Sequence, residues 1–369
     1  MKKPKSNLLL IGIMIMAVLF TSCKPDVNIT SDYRDVTIVY GLLNPMDRND
    51  TLNPWDNEHY IKIYKGYLTN ENALVWAKDL DNISYYDEID VQLIEYRENG
   101  EVVTYPMDTV MSVAKNYGVF ASPTQVLYRP VQKLSNHKPA DIKPGRRYQL
   151  VITNKKTGRV DSATTTTFAN LAFNIPKGGS EHSISTINLN YNDPWNVGCN
   201  LINWPENAAA VDAYVTFRYI EQDKVTGDTV HKSVDDMFVT SGFVFGNQTS
   251  FKPTRILQLL PEYIPVNNNV WRYPDTYECI DIKLWACDNV YYKYYMVSQP
   301  SSSIVQDRIP YTNIHNNQGD ERLSLGFFAS RTYKLRHFKI DVNSHNEDSL
   351  AHGQWTKNLN FRPYTDLID

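Results

Sequence analysis

Oxygen-bearing side chains recur at regular spacing in one short segment, DRNDTLNPWDNE at residues 47–58. Such spacing is typical of a calcium loop, whose ligands come from the first, third, fifth, seventh and twelfth positions. These positions hold Asp47, Asn49, Thr51, Asn53 and Glu58. The sixth position holds Leu52, where the sharp turn of such a loop requires glycine, and strand-like segments flank the loop. We therefore interpret the segment as a polar surface loop and expect no metal ion or other cofactor.

Two short motifs of serine acyl-transfer enzymes also occur, Ser112-Val113-Ala114-Lys115 and Lys156-Thr157-Gly158. They lie close together in the sequence, the required Ser-Asp-Asn element is missing between them, and Lys156-Thr157-Gly158 falls in a predicted hairpin turn. The eight histidines form no His-Glu-x-x-His motif, and the cysteines form no Cys-x-x-Cys motif. The sequence thus contains no recognisable catalytic constellation.

One cysteine near the N-terminus indicates a different chemistry. Three lysines within residues 2–5 precede an unbroken apolar run at 8–20, which is followed by Thr21, Ser22 and Cys23. The run is too short for a membrane-spanning helix, which needs roughly 20 apolar residues, but it has the length of the apolar core of a secretory signal. We therefore predict export from the cytoplasm.

The residues Leu19-Phe20-Thr21-Ser22-Cys23 resemble a bacterial lipoprotein signal, in which small residues precede an invariant cysteine. The resemblance implies cleavage between Ser22 and Cys23, a diacylglyceryl thioether on Cys23 and acylation of the new amino group. Two or more acyl chains give stable membrane anchoring. An ordinary secretory signal followed by a free cysteine is the alternative.

The charge of the chain argues against nucleic-acid binding. The formal net charge is −4, and removal of residues 1–22, with three lysines and no acid, lowers it to −7. Phosphate backbones need clustered lysine and arginine, whereas the densest basic group here is KPGRR at 143–147, which we interpret as a solvated turn.

The chain is predicted to be mainly all-β, with tandem immunoglobulin or fibronectin III-like β-sandwiches. Its 25 Tyr, 13 Phe and 7 Trp accompany many β-branched residues. After a tether at 23–34, the N-terminal sandwich is expected at 35–170, with Asn99-Gly100 as a type I′ hairpin turn. Near its end, Tyr148 resembles the corner tyrosine of these folds, which has a structural role.

A second sandwich is expected at 171–344, with an insertion at about 236–274 that carries a short helix around PTRILQLLPEYI. Trp204 resembles the core tryptophan of a fibronectin III-like module. A second short helix is expected at DNVYYKYYMVSQ, and residues 345–369 are expected to form a peripheral tail.

Three cysteines remain after Cys23, namely Cys199, Cys279 and Cys287. An odd number leaves at least one unpaired. A bridge from Cys199 to Cys279 or Cys287 stays open, although we favour buried free thiols. Cys279 and Cys287, eight residues apart on one predicted strand, are too distant to pair with each other.

The signal, the VYGLL strand early in the mature chain, the YTNIHNNQGDERLSLGFFASR segment and the β-rich modules are similar to a family of uncharacterised Bacteroidota outer-membrane lipoproteins. In that phylum O-glycans are attached to Asp-Ser/Thr followed by a small or apolar residue. The resemblance implies possible attachment at Thr51, Thr109, Ser162, Thr229 and Ser349.

Two classes of function follow as hypotheses. The first is a non-enzymatic binding or accessory subunit of an outer-membrane uptake or secretion complex, with the membrane and a protein as partners. The second is a glycan-binding protein or a hydrolase whose site is assembled from scattered side chains. Trp55 and Trp76, in predicted loops, are candidates for stacking on a glycan. Residues 24–26, Lys-Pro-Asp, leave open which face of the outer membrane the protein occupies.

Overall fold

The structure, a computed structural model, is mostly β, which confirms the predicted fold class. It describes residues 34–45, 59–66, 73–114, 124–169, 171–173, 185–189, 196–240, 242–275, 279–298, 311–340, 346–363 and 366–367.

The N-terminal module is a sandwich of seven strands. These are β1 (Thr37–Leu43), β2 (Ile61–Lys65), β3 (Ile89–Tyr96), β4 (Val102–Ala114), β5 (Thr124–Pro130), β6 (Arg147–Asn154) and β7 (Val160–Thr166). One sheet has the order β1-β2-β5-β4, and the other has β4-β3-β6-β7, because the long β4 pairs with β5 at one end and with β3 at the other. This is the strand order of an immunoglobulin-type sandwich.

The core of this module follows from alternation along its strands. On β3, Val91 and Leu93 point inward, and on β6, Leu150 and Ile152 do the same, while the residues between them, Gln92 and Val151, are less buried. The predicted role of Tyr148 is confirmed, because its buried hydroxyl accepts a hydrogen bond of 2.8 Å from the backbone N–H of Lys143.

The hairpin turn at Asn99-Gly100 differs from the predicted type I′. Only Gly100 has a positive φ, +82°, and its N–H donates to the carbonyl of Arg97 at 3.0 Å. A type I′ turn needs positive φ at both central residues, so this turn is a type I turn closed by a left-handed glycine.

The C-terminal module is a second sandwich. Its strands, with short ones between them, are β8 (Ala172–Phe173), β9 (Ser185–Ile187), β10 (Val197–Ile202), β11 (Ala208–Asp223), β12 (Thr229–Phe238), β13 (Val244–Phe245), β14 (Gln248–Phe251), β15 (Val270–Pro274) and β16 (Ile280–Asp288). One sheet is β14-β10-β8, and the other is β12-β11-β16 followed by β18 (Ser324–Ile340). The two-residue strand β17 (His315–Asn316) pairs with β7 at the edge of the N-terminal module. The predicted insertion at 236–274 is partly wrong, because β14, which lies within this range, pairs with β10 and forms a strand of the sandwich.

The described helices are short. They are α1 (Ala73–Trp76), α2 (Leu80–Ile83), α3 (Thr254–Tyr263), α4 (Asn289–Ser298) and α5 (Asn346–His352), with 3-10 turns at Tyr86–Glu88 and Glu321–Leu323. Both predicted helices of the C-terminal module are confirmed as α3 and α4. Helix α3 buries Ile256, Leu257, Leu259 and Leu260 in the core.

A single strand, β18, joins the two modules. Residues 324–330 pair in parallel with β1, and residues 331–338 pair antiparallel with β16. Gly326 allows the closest approach, since a Cβ there would lie 1.9 Å from the carbonyl oxygen of Val39. Phe328 belongs to the N-terminal core and Phe338 to the C-terminal core. The predicted second sandwich at 171–344 therefore includes a segment of β18 that packs with the first module.

The C-terminal residues, predicted to be a peripheral tail, pack into the second core. Leu359 and Phe361 are 2% and 3% exposed. The buried guanidinium of Arg272 donates to the carbonyl of Leu359 at 2.7 Å and pairs with Glu221 at 2.8 Å. The sequence pattern missed this contact because buried positions here do not recur with a regular period.

Candidate binding surface

Four aromatic rings lie on the outer side of the C-terminal sheet, and we call this set, Tyr214, Phe238, Trp285 and Tyr333, the aromatic face. Tyr214 is directly opposite Phe238 in the register, with ring centroids 5.0 Å apart. Trp285 is directly opposite Tyr333, with centroids 4.6 Å apart. All four are largely buried, and Tyr214, Phe238 and Trp285 keep an accessible part.

Strand alternation explains why these rings are outside the core. On β11, Ala213, Val215 and Phe217 point into the core, so Tyr214 points to the other side. On β16 the core residues are Ile282 and Leu284, which leaves Trp285 outside. Tyr214 and Trp285 therefore lie outside the core because their strands carry large side chains on both sides of the sheet.

Charged side chains lie between and beside the rings, already paired with one another. Lys283 has its Nζ 5.0 Å from the centre of the Tyr333 ring and donates to Asp236 at 2.9 Å. The Arg331 guanidinium lies 4.0 Å from the centre of the Trp285 ring, within cation–π distance. The result is a surface of aromatic rings and compensated charges.

Asp212 is the most perturbed group of this surface. It is 1% exposed and lies opposite Trp285 in the register. Arg331 Nη2 is 3.4 Å from each carboxylate oxygen, and the Nε of Arg331 makes no hydrogen bond among the described residues. Burial raises the pKa of Asp212 to about 6, because Arg331 and the hydroxyl of Tyr214 only partly offset desolvation. Strongly perturbed carboxylates are enriched at functional sites.

A second acidic group lies further along the same side of the sheet. Asp281, 4% exposed, contacts His337 Nδ1 at 2.6 Å and also pairs with Arg218. Burial opposes ionisation of Asp281, but its hydrogen bonds with His337 and Arg218 outweigh burial and lower its pKa. This carboxylate is therefore charged and well satisfied, unlike Asp212.

Helix α4 covers one end of the surface and connects it to the N-terminal module. Tyr294 and Tyr291 pack on Phe327 at 4.5 and 5.4 Å, and Tyr40 of β1 contacts the same ring at 5.8 Å. Phe243 packs on Tyr291 at 5.6 Å. The aromatic contacts therefore extend from the C-terminal sheet across the junction.

Asp288 fixes α4 at this junction. Its carboxylate accepts hydrogen bonds from the Tyr291 N–H at 2.8 Å, the Ser330 N–H at 2.8 Å and the Thr165 hydroxyl at 3.0 Å. These donors belong to α4, β18 and β7, so one side chain ties the helix to both modules. Burial raises the pKa of Asp288 despite these hydrogen bonds.

A separate cleft of about 380 Å³ lies at the end of the N-terminal module, lined by Glu95, Arg97, Lys143, Pro144 and Arg146. Buried Glu95 accepts from the Tyr105 hydroxyl at 2.9 Å and from Arg97 at 3.3 Å. Lys143 and Arg146, from the KPGRR segment, form ion pairs with neighbouring acids. The basic groups of this cleft are therefore compensated within the module.

The structure describes some of the residues predicted to be modified. Cys23, Ser22 and Thr51 lie outside the described residues, as does the calcium-like segment at 47–58. Thr109 on β4 and Thr229 on β12 are exposed, and Ser162 on β7 is half-buried. Ser349 is 1% exposed, so glycan attachment there is incompatible with the folded chain.

The other candidate residues are dispersed. Ser112 lies in β4, and Lys156-Thr157-Gly158 forms the turn between β6 and β7. No group of three or more potential metal ligands occurs among the described residues.

Cys199, Cys279 and Cys287 are buried and free, as we favoured. Trp76 is a half-buried residue of α1, and Trp55 lies outside the described part of the chain. Trp204 is partly buried against the second core.

Sequence reasoning did not identify the aromatic face. A signal was present, because Tyr214 and Arg218 share one parity on β11, as do Asp281, Lys283 and Trp285 on β16. Which parity points outward, and which residues of different strands become neighbours, depends on the register between strands.

Comparison with known proteins adds no further assignment: no family matches the chain, and neither a curated protein nor a solved structure is significantly similar to it. Within the described ranges, no helix has the length and apolarity needed to cross a membrane.

Proposed function

We propose that this protein is a lipid-anchored lipoprotein of the bacterial outer membrane that acts as a non-enzymatic binding subunit of an uptake or secretion complex. The anchor rests on the sequence of residues 2–23, which has the basic, apolar and small-residue parts of a lipoprotein signal. Acylation of Cys23 would hold both modules at the membrane surface.

The observation that carries the binding role is the aromatic face. Tyrosine and tryptophan are enriched in binding surfaces because they combine a large apolar area with a polar group and lose little entropy on binding. Here they lie on a regular sheet, which positions a site more rigidly than a loop does. The shared strand β18 and the Asp288 contacts attach this sheet to the anchored N-terminal module.

The charged groups of the surface favour binding over catalysis. Lys283 pairs with Asp236, Arg331 with Asp212, and Arg218 with Asp281. These pairs hold side chains in place and balance charge. A general acid or base would instead need a titratable group within hydrogen-bond reach of a bound substrate.

The lipid anchor is tested by metabolic labelling with palmitate. The wild-type chain is expected to incorporate the label and to fractionate with the outer membrane, whereas Cys23→Ala is expected to remain unlabelled and unprocessed. Cys199→Ala is the matched control, since it removes a thiol from the folded core. Equal labelling of wild type and Cys23→Ala would contradict the anchor.

The accessory role is tested by crosslinking intact cells, solubilising the outer membrane and isolating the tagged protein. We expect a crosslinked protein partner in the isolated material. Recovery of the protein always alone would reject the proposal that it is a subunit of a complex.

A further inference from the structure

We infer that the ligand of the aromatic face is a neutral oligosaccharide, held by stacking of sugar rings on Trp285 and Tyr214. This inference rests on the proposed binding role and names the ligand class. It follows from the size, the flatness and the charge balance of the face.

The accessible aromatic area is small. A buried aromatic side chain covers about 150–250 Å², and the four rings of the face are largely buried. The area left accessible is therefore only a fraction of the combined surface of the four rings. A stable protein interface buries about 800 Å² on each partner. The exposed rings match a small ligand better than the centre of a protein interface.

The shape of the face suits a flat ligand. Neighbouring strands are about 4.8 Å apart, and alternate residues on one strand about 6.8 Å apart. Tyr214 and Trp285 belong to adjacent strands, offset by one pair of residues, because Tyr214 is opposite Lys283 and Asp212 is opposite Trp285. Their rings are therefore placed side by side on one surface, where they could receive consecutive sugar units.

The face provides the two kinds of contact that a sugar requires. The C–H groups on one side of a pyranose carry slight positive charge and are attracted to the negative face of an aromatic ring. Lys283 Nζ and the carboxylate of Asp236, 2.9 Å apart beside the rings, supply a donor and an acceptor for hydroxyl groups.

Charge balance indicates a neutral ligand. Each of the basic groups Lys283, Arg331 and Arg218 has an aspartate partner on the same surface. An anionic polymer would have to displace these aspartates, and a cationic one would have to displace the basic groups. A neutral oligosaccharide leaves the pairs intact.

The test uses the mature chain, residues 23–369, with Cys23→Ser to keep it soluble. Migration in native gels is compared with and without five neutral polysaccharides, namely starch, xylan, mannan, galactan and β-1,3-glucan. Heparin serves as the anionic contrast. We expect at least one neutral polysaccharide to retard the protein and heparin not to do so.

Variants locate the site. Trp285→Ala is expected to weaken retardation at least tenfold, and Tyr214→Ala at least threefold. Trp271→Ala is the matched control and should stay within twofold of wild type. Trp271 is also partly exposed and, like Trp285, has a guanidinium group over its ring, but it lies opposite Gln222, eight residues beyond Tyr214 along β11. Trp285→Phe, which keeps a ring, should retain part of the affinity. Matching circular dichroism spectra of wild type and Trp285→Ala show that loss in the alanine variant is not caused by misfolding.

The outcomes separate this inference from the proposed function. Absence of retardation by all five neutral polysaccharides, stronger retardation by heparin, or equal retardation of wild type and Trp285→Ala would overturn the oligosaccharide assignment. If, in addition, a crosslinked protein partner still depends on Trp285, the face binds a protein, and the accessory role stands without the sugar.

Discussion

Two buried aspartates with the same exposure and the same kind of partner have different surroundings. Asp161 and Asp212 are each 1% exposed, and each pairs with an arginine. Asp161 lies inside the N-terminal module at the junction with β18, whereas Asp212 lies under the outer surface of the C-terminal module. The two carboxylates differ in how well their hydrogen-bond partners compensate for burial.

Asp161 is fully satisfied. It accepts hydrogen bonds from Arg159 Nε at 3.1 Å, from the Thr37 hydroxyl at 2.9 Å and from the Ser324 hydroxyl at 2.5 Å. The same arginine also donates to the backbone carbonyl of Asp35, at the start of the described N-terminal module. This network of hydrogen bonds joins β7, β1 and β18.

Asp212 has weaker compensation. Its arginine is 3.4 Å away and also contacts aromatic rings, and burial raises the pKa of the carboxyl to about 6. Natural proteins retain such incompletely satisfied groups mainly at functional positions. The difference shows that two equally buried carboxylates can have hydrogen-bond partners of different number and distance.

The largest predicted effect concerns the satisfied aspartate. Arg159→Met leaves Asp161 buried without its cation, and we expect a loss of about 3–5 kcal/mol in the free energy of unfolding. Urea denaturation monitored by circular dichroism measures it. Arg322→Met, at a side chain 78% exposed that pairs with Asp320, should change stability by less than about 1 kcal/mol. Similar unfolding midpoints for the two variants would show that the buried Arg159–Asp161 pair stabilises the fold no more than the exposed Arg322–Asp320 pair does.

The second prediction concerns the pH dependence of Asp212. Its folded-state pKa of about 6 lies above its ordinary value of 3.8, so the folded state favours the protonated form. The stability from this group is present below its ordinary pKa and is lost as the pH rises to about 6. Between pH 4.5 and 7.5, wild type should lose about 2 kcal/mol relative to Asp212→Asn.

Urea denaturation of both proteins across this range measures the difference, and the sign is the decisive feature. Stability of wild type should fall relative to Asp212→Asn as the pH rises. A rise would show that Arg331 compensates Asp212 fully and that the two aspartates are alike. In the Asp212 titration the fluorescence of Trp285, which lies opposite it, should change with a midpoint near pH 6, and this change should be absent in Asp212→Asn.

The smallest predicted effect is the loss of an uncharged hydrogen bond, whose contribution to stability can be compared with those of the two aspartates. Tyr148→Phe removes the acceptor of the Lys143 N–H, which should cost about 1 kcal/mol in the free energy of unfolding. Tyr96→Phe, at a half-exposed tyrosine that donates to Gln149, should cost less. If Tyr148→Phe cost as much as Arg159→Met, the special stability attributed to the charged network would be unsupported.

Much of the fold could be predicted because local patterns report it. Alternation predicted β6, β11 and β16, apolar spacing predicted α3, and the resemblance of Tyr148 to the corner tyrosine of immunoglobulin-like folds implied the hydrogen bond of its hydroxyl. The candidate site could not be predicted in the same way. Its residues come from β11, β12, β16 and β18, which lie far apart in the chain.

The sequence by itself was enough to predict the all-β class, because this class depends on composition and on short-range periodicity. The export signal with Cys23 stays a prediction. Only the tertiary structure decided that β18 belongs to both modules and that Leu359 and Phe361 are core residues. It also decided that the guanidinium of Arg331 lies over the Trp285 ring and that Asp212 lies opposite Trp285. The physical reason is that strand register and burial result from contacts between distant segments, and one sequence pattern is compatible with either face of a sheet.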